Sequence, residues 1–226
     1  SLWPAIIETM RIPHWSKNVL IFVPLVLAHD WFNLDTLARV LAGFVLLLLV
    51  TSASYFINDL ADINADRRHA TKRDRPIASG RLPLPVAVML PLVTLPLALA
   101  GAFLIQAEFA AGLLGYLVLT LAYSFGLKRV PLLDTFVIGV LFTTRLLMGS
   151  ALVNASMPVW LLTFSAFFFF SLATAKRHAE IVRAKTKGGD SLAARGYEVD
   201  DAPLTLAFGV GAGLSSLIIL VLYMVD

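Results

Sequence analysis

The sequence predicts an all-α transmembrane helix bundle, and three observations carry that reading. Of the 226 residues, 58% are hydrophobic and only 15% are charged, against about 25% charged in a typical soluble domain. The mean hydropathy is +0.82. A soluble core of this size could not enclose so much apolar surface, so the bilayer is the expected solvent. Third, the charge that remains is confined to alternate links between long apolar segments.

Seven apolar segments follow in order, each about long enough to cross the hydrocarbon core as a helix. The first, 18–30, carries Pro24, and the second, 37–60, runs into an acidic stretch. The third, 83–105, opens on Pro83 and Pro85 and contains Pro91 and Pro96, which kink membrane helices without breaking them. The fourth, 108–127, ends at a basic turn. The fifth, 132–153, carries Arg145. The sixth, 157–178, contains Phe167–Phe170 as packing or lipid-facing surface, and the seventh is 203–225. Links near Asp30–Thr36, Gln106–Glu108 and Asn154–Pro158 hold almost no cations. Arg11, Lys17, Arg67, Arg68, Lys72, Arg73, Arg75, Arg81, Lys128, Arg129, Lys176, Arg177, Arg183, Lys185, Lys187 and Arg195 all fall on the other side. Only Arg39 and Arg145 of the 18 lysines and arginines lie elsewhere. By the positive-inside rule that side is cytosolic, with the N-terminus inside and, after seven spans, the C-terminus outside. No cleavable signal peptide is expected, and the missing initiator Met suggests a processed or trimmed chain. With no cysteine, disulfides, thiolate metal sites and a thiolate nucleophile are excluded.

The informative stretch runs from Tyr55 to Gly80. If the second helix continues, Asn58, Asp62 and Asp66 recur at i, i+4 and i+8 and share a face, with Asp59 beside them. Carboxylates so placed repel unless a cation sits among them. Magnesium takes oxygen ligands, commonly one or two carboxylates plus phosphate oxygens. Lys72, Arg73 and Arg75 follow at once and can reach a phosphate, Arg in bidentate fashion. Acid for a metal beside base for a phosphate suits a leaving diphosphate. A loop charged merely because it is wet would not show helical spacing that begins inside an apolar span. Arg67, Arg68 and Arg81 are expected to serve topology alone.

Three further features accompany this cluster. Lys176 and Glu180 are at i, i+4, either a plain helical ion pair or, with Arg183, Arg195 and Tyr197, a group that faces the first cluster across the bundle. His178 reads as a packing residue. Arg145 lies deep in a span, where an ionisable group ordinarily faces a polar cavity, and Asp134 on the same face is too far for direct pairing in a straight helix. Tyr123, before Lys128 and Arg129, reads equally as an interface aromatic and as a substrate contact.

Asn58-Asp59-x-x-Asp62-x-x-x-Asp66, followed by Lys72-Arg73-x-Arg75-Pro76-Ile77-x-Ser79-Gly80, resembles the first signature of the UbiA superfamily of intramembrane prenyltransferases. The stretch Tyr123-Ser124-x-x-Leu127-Lys128-Arg129 is similar to that family's segment after its fourth helix. Within the superfamily, Arg11-x-Pro13-His14-x-x-Lys17-Asn18, His69-x-Thr71-Lys72-Arg73, Arg145 and Lys176-Arg177-x-x-Glu180 look closest to the polyprenyl-phosphate (decaprenyl-phosphate) phosphoribosyltransferases. Lys176-Arg177-x-x-Glu180 stands where aromatic prenyltransferases of the superfamily carry a second Asp-rich motif. One carboxylate among cations suits a sugar phosphate better than a second metal-bound prenyl diphosphate.

The resemblance implies one UbiA-like transmembrane domain over 1–226, truncated at the C-terminus because seven spans stand against an expected nine. Its central cavity would open to the cytosol, with catalytic loops at about 61–82 and 176–202. It implies a transferase of the plasma membrane of a prokaryote, serving the cell envelope. Mg2+ would be held by Asn58, Asp59, Asp62 and Asp66. Asp59, Asp62, Asp66 and Arg145 would be catalytic. Lys17, Asn58, Lys72, Arg73, Arg75, Tyr123, Lys176, Arg177 and Glu180 would bind substrate. The expected partners are a polyprenyl phosphate and a diphosphate donor, phosphoribosyl diphosphate, with no nucleic acid. An aromatic prenyltransferase acting on an acceptor such as 4-hydroxybenzoate is the alternative, and a lipid-binding or transport protein a more distant one.

Overall fold

The computed structural model describes residues 2–187 and 195–225. Among them every regular element is helical. In order these are α1 (Leu2–Met10), a 3-10 run (Ile12–Phe22), α2 (Val23–Leu27), α3 (Leu34–Ala61), α4 (Ile63–Arg68), α5 (Leu84–Ile105), α6 (Ala107–Phe125), α7 (Leu133–Val153), α8 (Val159–Lys187) and α9 (Ala202–Val225), with short 3-10 turns at Lys72–Asp74, Leu127–Arg129 and Val199–Asp201. Six stretches are long and apolar enough to cross a membrane: α3, α5, α6, α7, α8, and Val199–Val225, which contains α9. They coincide with the second to seventh segments read from the sequence.

The first segment takes another form, a shorter apolar helix over Ile12–Leu27. Pro13 lies in the first turn of the 3-10 run and Pro24 in the first turn of α2. Both are tolerated there, because the N–H that proline lacks would have no partner in a first turn. The 3-10 run rises about 2 Å per residue, further than an α-helix would. Its polar side chains are tied to α3: Trp15 Nε1 donates to Ser52 Oγ at 3.3 Å and Asn18 Nδ2 to Thr51 Oγ1 at 3.2 Å.

The chain packs as two compact units, Ser1–Leu121 with Met148–Ala155, and Ala122–Leu147 with Ser156–Asp226. In the first, α3 is the central helix. Asn33 caps it by accepting from the Asp35 and Thr36 amides at 3.1 and 3.3 Å, an arrangement that satisfies otherwise orphaned donors. Val40, Leu47, Val50, Ala53 and Phe56 are buried along it. Gly149 shows how closely the end of α7 meets the 3-10 run: a Cβ there would lie 2.1 Å from the Ile21 carbonyl oxygen. Helix α5 packs on α3 and buries Ala87, Pro91, Ala98 and Ala102. Leu92, Leu97, Phe103 and Leu104 on its other faces are exposed, as expected of a helix solvated by lipid.

In the second unit α8 packs along α9. Ser171 Oγ donates to the Gly209 carbonyl at 2.8 Å, and Trp160 stacks on Tyr223. Helix α8 runs on through Lys187, so the first part of the expected loop 176–202 is helical. The segment is rich in Ala, Arg, Lys and Glu, all good helix formers, and its Ile181 is fully buried beside Tyr197. Positions 188–194 of that loop lie outside the described residues.

Candidate functional site

The first cluster is built where α3 ends. The continuous helix that would set Asn58, Asp62 and Asp66 on one face does not form: α3 stops at Ala61, close to the end expected of the second span, Asp62 takes φ −90° and ψ 4°, and α4 begins at Ile63. Asp and Asn compete with the backbone for hydrogen bonds and are poor helix residues, and acids at a helix C-terminus oppose its dipole. Three acids and two asparagines in this stretch are therefore enough to break the ladder. As a result Asp59 and Asp66, both 3% exposed, converge, while Asn58 and Asp62 are half-buried.

Two guanidinium groups hold the converging acids. Arg75 Nη1 donates to Asp66 Oδ2 at 2.7 Å and to Asp59 Oδ1 at 3.2 Å. Arg11 Nη2 donates to Asp59 Oδ1 at 2.6 Å, and Asn58 Nδ2 lies 3.5 Å from the same oxygen. Arg11 occupies the left-handed region at φ 54°, ψ 51°, a conformation that costs a non-glycine residue about 1 kcal/mol or more. The turn brings its guanidinium over the Tyr55 ring, 4.8 Å from the centroid.

The loop that carries Arg75 is anchored from below and from the side. Ile77 and Leu82 are buried against Ala5, Phe56 and Ala87. Arg67 Nε donates to the Ala78 carbonyl at 3.1 Å. Arg81 grips Glu8 with two bonds of 2.8 and 2.9 Å and donates to the Asp74 carbonyl. Arg67 and Arg81, expected to act in topology alone, thus fix the loop as well. Arg68 donates to the Asn64 carbonyl of its own helix. Lys72 and Arg73 are exposed, and among the described residues no ion pair engages their side chains. Lys17, also exposed, projects from the 3-10 run.

The second cluster lies wholly in the second unit and centres on a residue that sequence reasoning undervalued. Asp134, in the first turn of α7, is 0% exposed. Its Oδ2 accepts from Arg177 Nε at 3.0 Å and Nη2 at 2.7 Å. Its Oδ1 accepts from the Thr135 amide at 2.7 Å and from the Tyr197 hydroxyl. Arg177 Nη1 reaches Glu180, which also lies 3.6 Å from Arg195 Nη1. Glu180 therefore pairs at i−3 and with Arg195, while Lys176 is exposed and makes no ion pair among the described residues. The Tyr197 hydroxyl accepts from the Leu132 amide at 2.8 Å. Burial, then the bond to Asp134, pushes its pKa up to about 12, so it stays a proton donor over the physiological range. Gly196 before it has φ +69°, and a Cβ there would lie 2.1 Å from the Arg129 carbonyl oxygen. Only glycine seats Tyr197 at that depth. Tyr123 lies within electrostatic reach of Arg195, Asp134, Arg177 and Glu180.

Arg145 is buried in α7, where it donates to the Leu141 carbonyl and sits 5.2 Å from the Phe142 ring centroid. His178 Nδ1 bonds the Ala202 carbonyl and Thr205 Oγ1 at 3.0 and 3.1 Å, the packing role expected of it. Two partners were not evident in advance. Arg11 is 48 positions from Asp59, and no local pattern marks that contact. Asp134 carried a faint signal, an acid opening a span directly after the basic turn at Lys128 and Arg129.

The donors of the first cluster are all oxygen: the Asn58 carboxamide and the Asp59, Asp62 and Asp66 carboxylates. Among the described residues no three His, Cys, Asp or Glu side chains converge on one point. Asp59 and Asp66 nevertheless already share one positive charge, that of Arg75. Magnesium needs only one or two protein carboxylates and completes its octahedron with phosphate oxygens and water, so the donor set fits that ion. The second cluster offers no comparable pair, because both Asp134 oxygens are committed.

An all-helical membrane protein with ion clusters at its helix ends is the class that fold and site define. The chain belongs to the UbiA prenyltransferase family, whose pattern matches residues 19–225. It is 46% identical over 218 residues to the uncharacterized protein y4nM of Sinorhizobium fredii, covering 96% of this chain and 42% of that one. It is 35% identical over 192 residues to a decaprenyl-phosphate phosphoribosyltransferase of Corynebacterium glutamicum, covering 83% of this chain and 58% of that one. The chain thus spans about half the length of these two relatives. A UbiA homolog from Archaeoglobus fulgidus bound to GPP and Mg2+ shares the fold, with a TM-score of 0.75 at 18% identity over 95% of this chain and 76% of that one. The chain is therefore that of an integral membrane protein of the UbiA fold.

Proposed function

We propose that this chain belongs to a magnesium-dependent membrane transferase that moves 5-phosphoribose from phosphoribosyl diphosphate to a polyprenyl phosphate and releases diphosphate. One observation carries the choice of donor. The second cluster leaves a single part-exposed carboxylate, Glu180, between Arg177 and Arg195. That composition suits the phosphate of a sugar phosphate better than a second metal-bound prenyl diphosphate. The likeness to a decaprenyl-phosphate phosphoribosyltransferase supports the same branch.

Asn58, Asp59, Asp62 and Asp66 would hold Mg2+, which supplies positive charge against the departing diphosphate. Lys17, Lys72, Arg73, Arg75, Lys176 and Arg177 bind phosphate groups, the arginines in bidentate fashion where geometry allows. The lipid phosphate is already anionic. One of its oxygens forms the new bond to the anomeric carbon as the bond to diphosphate breaks, and the electron pair leaves with the diphosphate. No protein base is required. Preorganised cations aimed at the leaving group contribute the electrostatic share of the acceleration. Arg145 meets the acceptor phosphate or the leaving group deeper in the protein, Tyr123 contacts substrate, and the lipid tail lies among the helices. The charged ends of the helices face the cytosol.

The deciding experiment offers the purified full-length protein two labelled pairs, phosphoribosyl diphosphate with polyprenyl phosphate and prenyl diphosphate with 4-hydroxybenzoate. Label entering lipid from the first pair alone is the expected result. Label transferred only in the second pair replaces the proposal by an aromatic prenyltransferase, the reading that the first cluster taken by itself would equally support. Binding without diphosphate release would leave a lipid-binding or transport protein.

A further inference from the structure

The second cluster contains a buried acid that none of the phosphate-binding roles uses. Asp134 cannot touch a ligand, because it is fully buried and each of its oxygens already accepts twice: Thr135 amide and Tyr197 hydroxyl on one, two Arg177 nitrogens on the other. Its place in the first turn of α7 sets it at the positive end of that helix's dipole. Arg177 is itself 3% exposed. With Nε and Nη2 fixed on Asp134, the planar guanidinium has one orientation left, and its Nη1 edge turns to Glu180. Glu180 in turn draws in Arg195. Tyr197 adds a second constraint: its ring faces the Arg177 guanidinium 5.5 Å from the centroid while its hydroxyl bonds Asp134. The relay runs inward to outward, from a buried acid through a buried arginine to the part-exposed Glu180 and Arg195.

We infer that Asp134 is a positioning residue, which with Tyr197 holds the Arg177 fork and through it sets the Glu180–Arg195 end of the cluster to receive a phosphate group of the donor. The inference rests on the proposed phosphate-binding role of this cluster but not on which group is transferred. It is tested with labelled inorganic phosphate without added Mg2+, because the first cluster takes its diphosphate with magnesium.

Asp134→Asn keeps oxygen for Tyr197 and Thr135 and removes the charge that orients Arg177. Loss of one charge-assisted contact corresponds to about a tenfold change or more. The expected result is a tenfold or greater weakening of phosphate binding in Asp134→Asn, and less than about twofold when the same change is made in an Arg177→Met background. With whichever donor transfers its label, KM rises while kcat stays within about twofold. A merely structural role would lower the active fraction, hence kcat, and leave KM unmoved. Should Asp134→Asn fail to fold, Tyr197→Phe serves in its place. It removes one hydroxyl at nearly constant volume and should weaken binding a few-fold, again only when Arg177 is present. Equal losses in the parent and Arg177→Met backgrounds, or unchanged phosphate binding in a folded Asp134→Asn protein, overturn the inference. Donor identity fails separately, in the labelled-pair assay.

Discussion

Replacing Arg75 by Met isolates the electrostatics of the first cluster. Arg75 Nη1 lies 3.2 Å from Asp59 Oδ1 and 2.7 Å from Asp66 Oδ2. Removing one member of a buried pair costs about 3–5 kcal/mol, and an exposed pair contributes about 1 kcal/mol or less. The carboxylates are almost fully buried but the arginine is 28% exposed, which places this pair between the limits. Asp59 keeps Arg11 at 2.6 Å, so the loss falls mainly on Asp66. About 2–3 kcal/mol is expected, read from unfolding of the detergent-solubilised protein. Added Mg2+ should recover part of that loss, and stabilise the variant more than the parent, because ligand linkage favours the state with the more available site. Arg68→Met is the control, since Arg68 donates within its own helix, and should lie within about 0.5 kcal/mol of the parent. If Arg75→Met is as stable as Arg68→Met, or gains no more from Mg2+ than the parent does, the account of Asp59 and Asp66 as a cation-requiring pair is wrong.

Asp62→Asn should abolish label transfer while leaving membrane insertion intact, and normal turnover would remove Asp62 from the magnesium set. Gly149→Ala places a methyl 2.1 Å from the Ile21 carbonyl oxygen and should destabilise by about 1–3 kcal/mol or more through overpacking; unchanged unfolding would contradict the close approach of α7 to the 3-10 run. Tyr197 gives a pH signature. Its folded pKa, pushed up to about 12, lies above the value near 10 of an unfolded tyrosine. The hydroxyl therefore contributes fully below about pH 10 and loses its contribution as pH rises towards 12. The stability gap between parent and Tyr197→Phe should narrow over that window, and a gap independent of pH would argue against the bond to Asp134.

Helix location was legible because it follows from a long-range average: six predicted spans agree with the observed helices to within a few residues, apart from the extension of α8. The departures occur where a few particular side chains outweigh the average. The first expected span is instead a 3-10 run followed by a short α-helix, the run tied to α3 by the Trp15 and Asn18 side chains. The shared face of Asn58, Asp62 and Asp66 required a helix continuing through Asp62, and the helix ends at Ala61 instead. The segment from Lys176 was read as loop from its charge, yet Ala, Arg, Glu and the buried Ile181 carry α8 on to Lys187. In the first cluster, residue types announced the acids and Arg75, but not Arg11, whose contact depends on a left-handed turn that no propensity foretells. In the second, Lys176 and Glu180 were singled out by their i, i+4 spacing, whereas the pairing uses Arg177 and Asp134, 43 positions apart. Contacts of that sequence separation are set by tertiary packing and leave little local trace.

The two clusters contain the same chemical groups and differ in what holds them. In the first, both arginines retain solvent contact and reach the acids from segments outside α3, Arg11 from a strained turn and Arg75 from a loop. A guanidinium so placed can be replaced by another cation without leaving a buried charge unpaired, because it can turn outward to water or to a phosphate. In the second, Arg177 and Asp134 are both buried, and withdrawing either would strand the other, a change that costs several kcal/mol. The first cluster is thus suited to exchange one cation for another, as taking up a magnesium diphosphate demands, and the second to present a fixed edge. Arg75→Met and Asp134→Asn should therefore fail differently: the first loses stability that Mg2+ partly restores, whereas the second loses phosphate affinity that Mg2+ cannot restore. A common response of both variants to Mg2+ would remove the distinction between an exchangeable cluster and a fixed one.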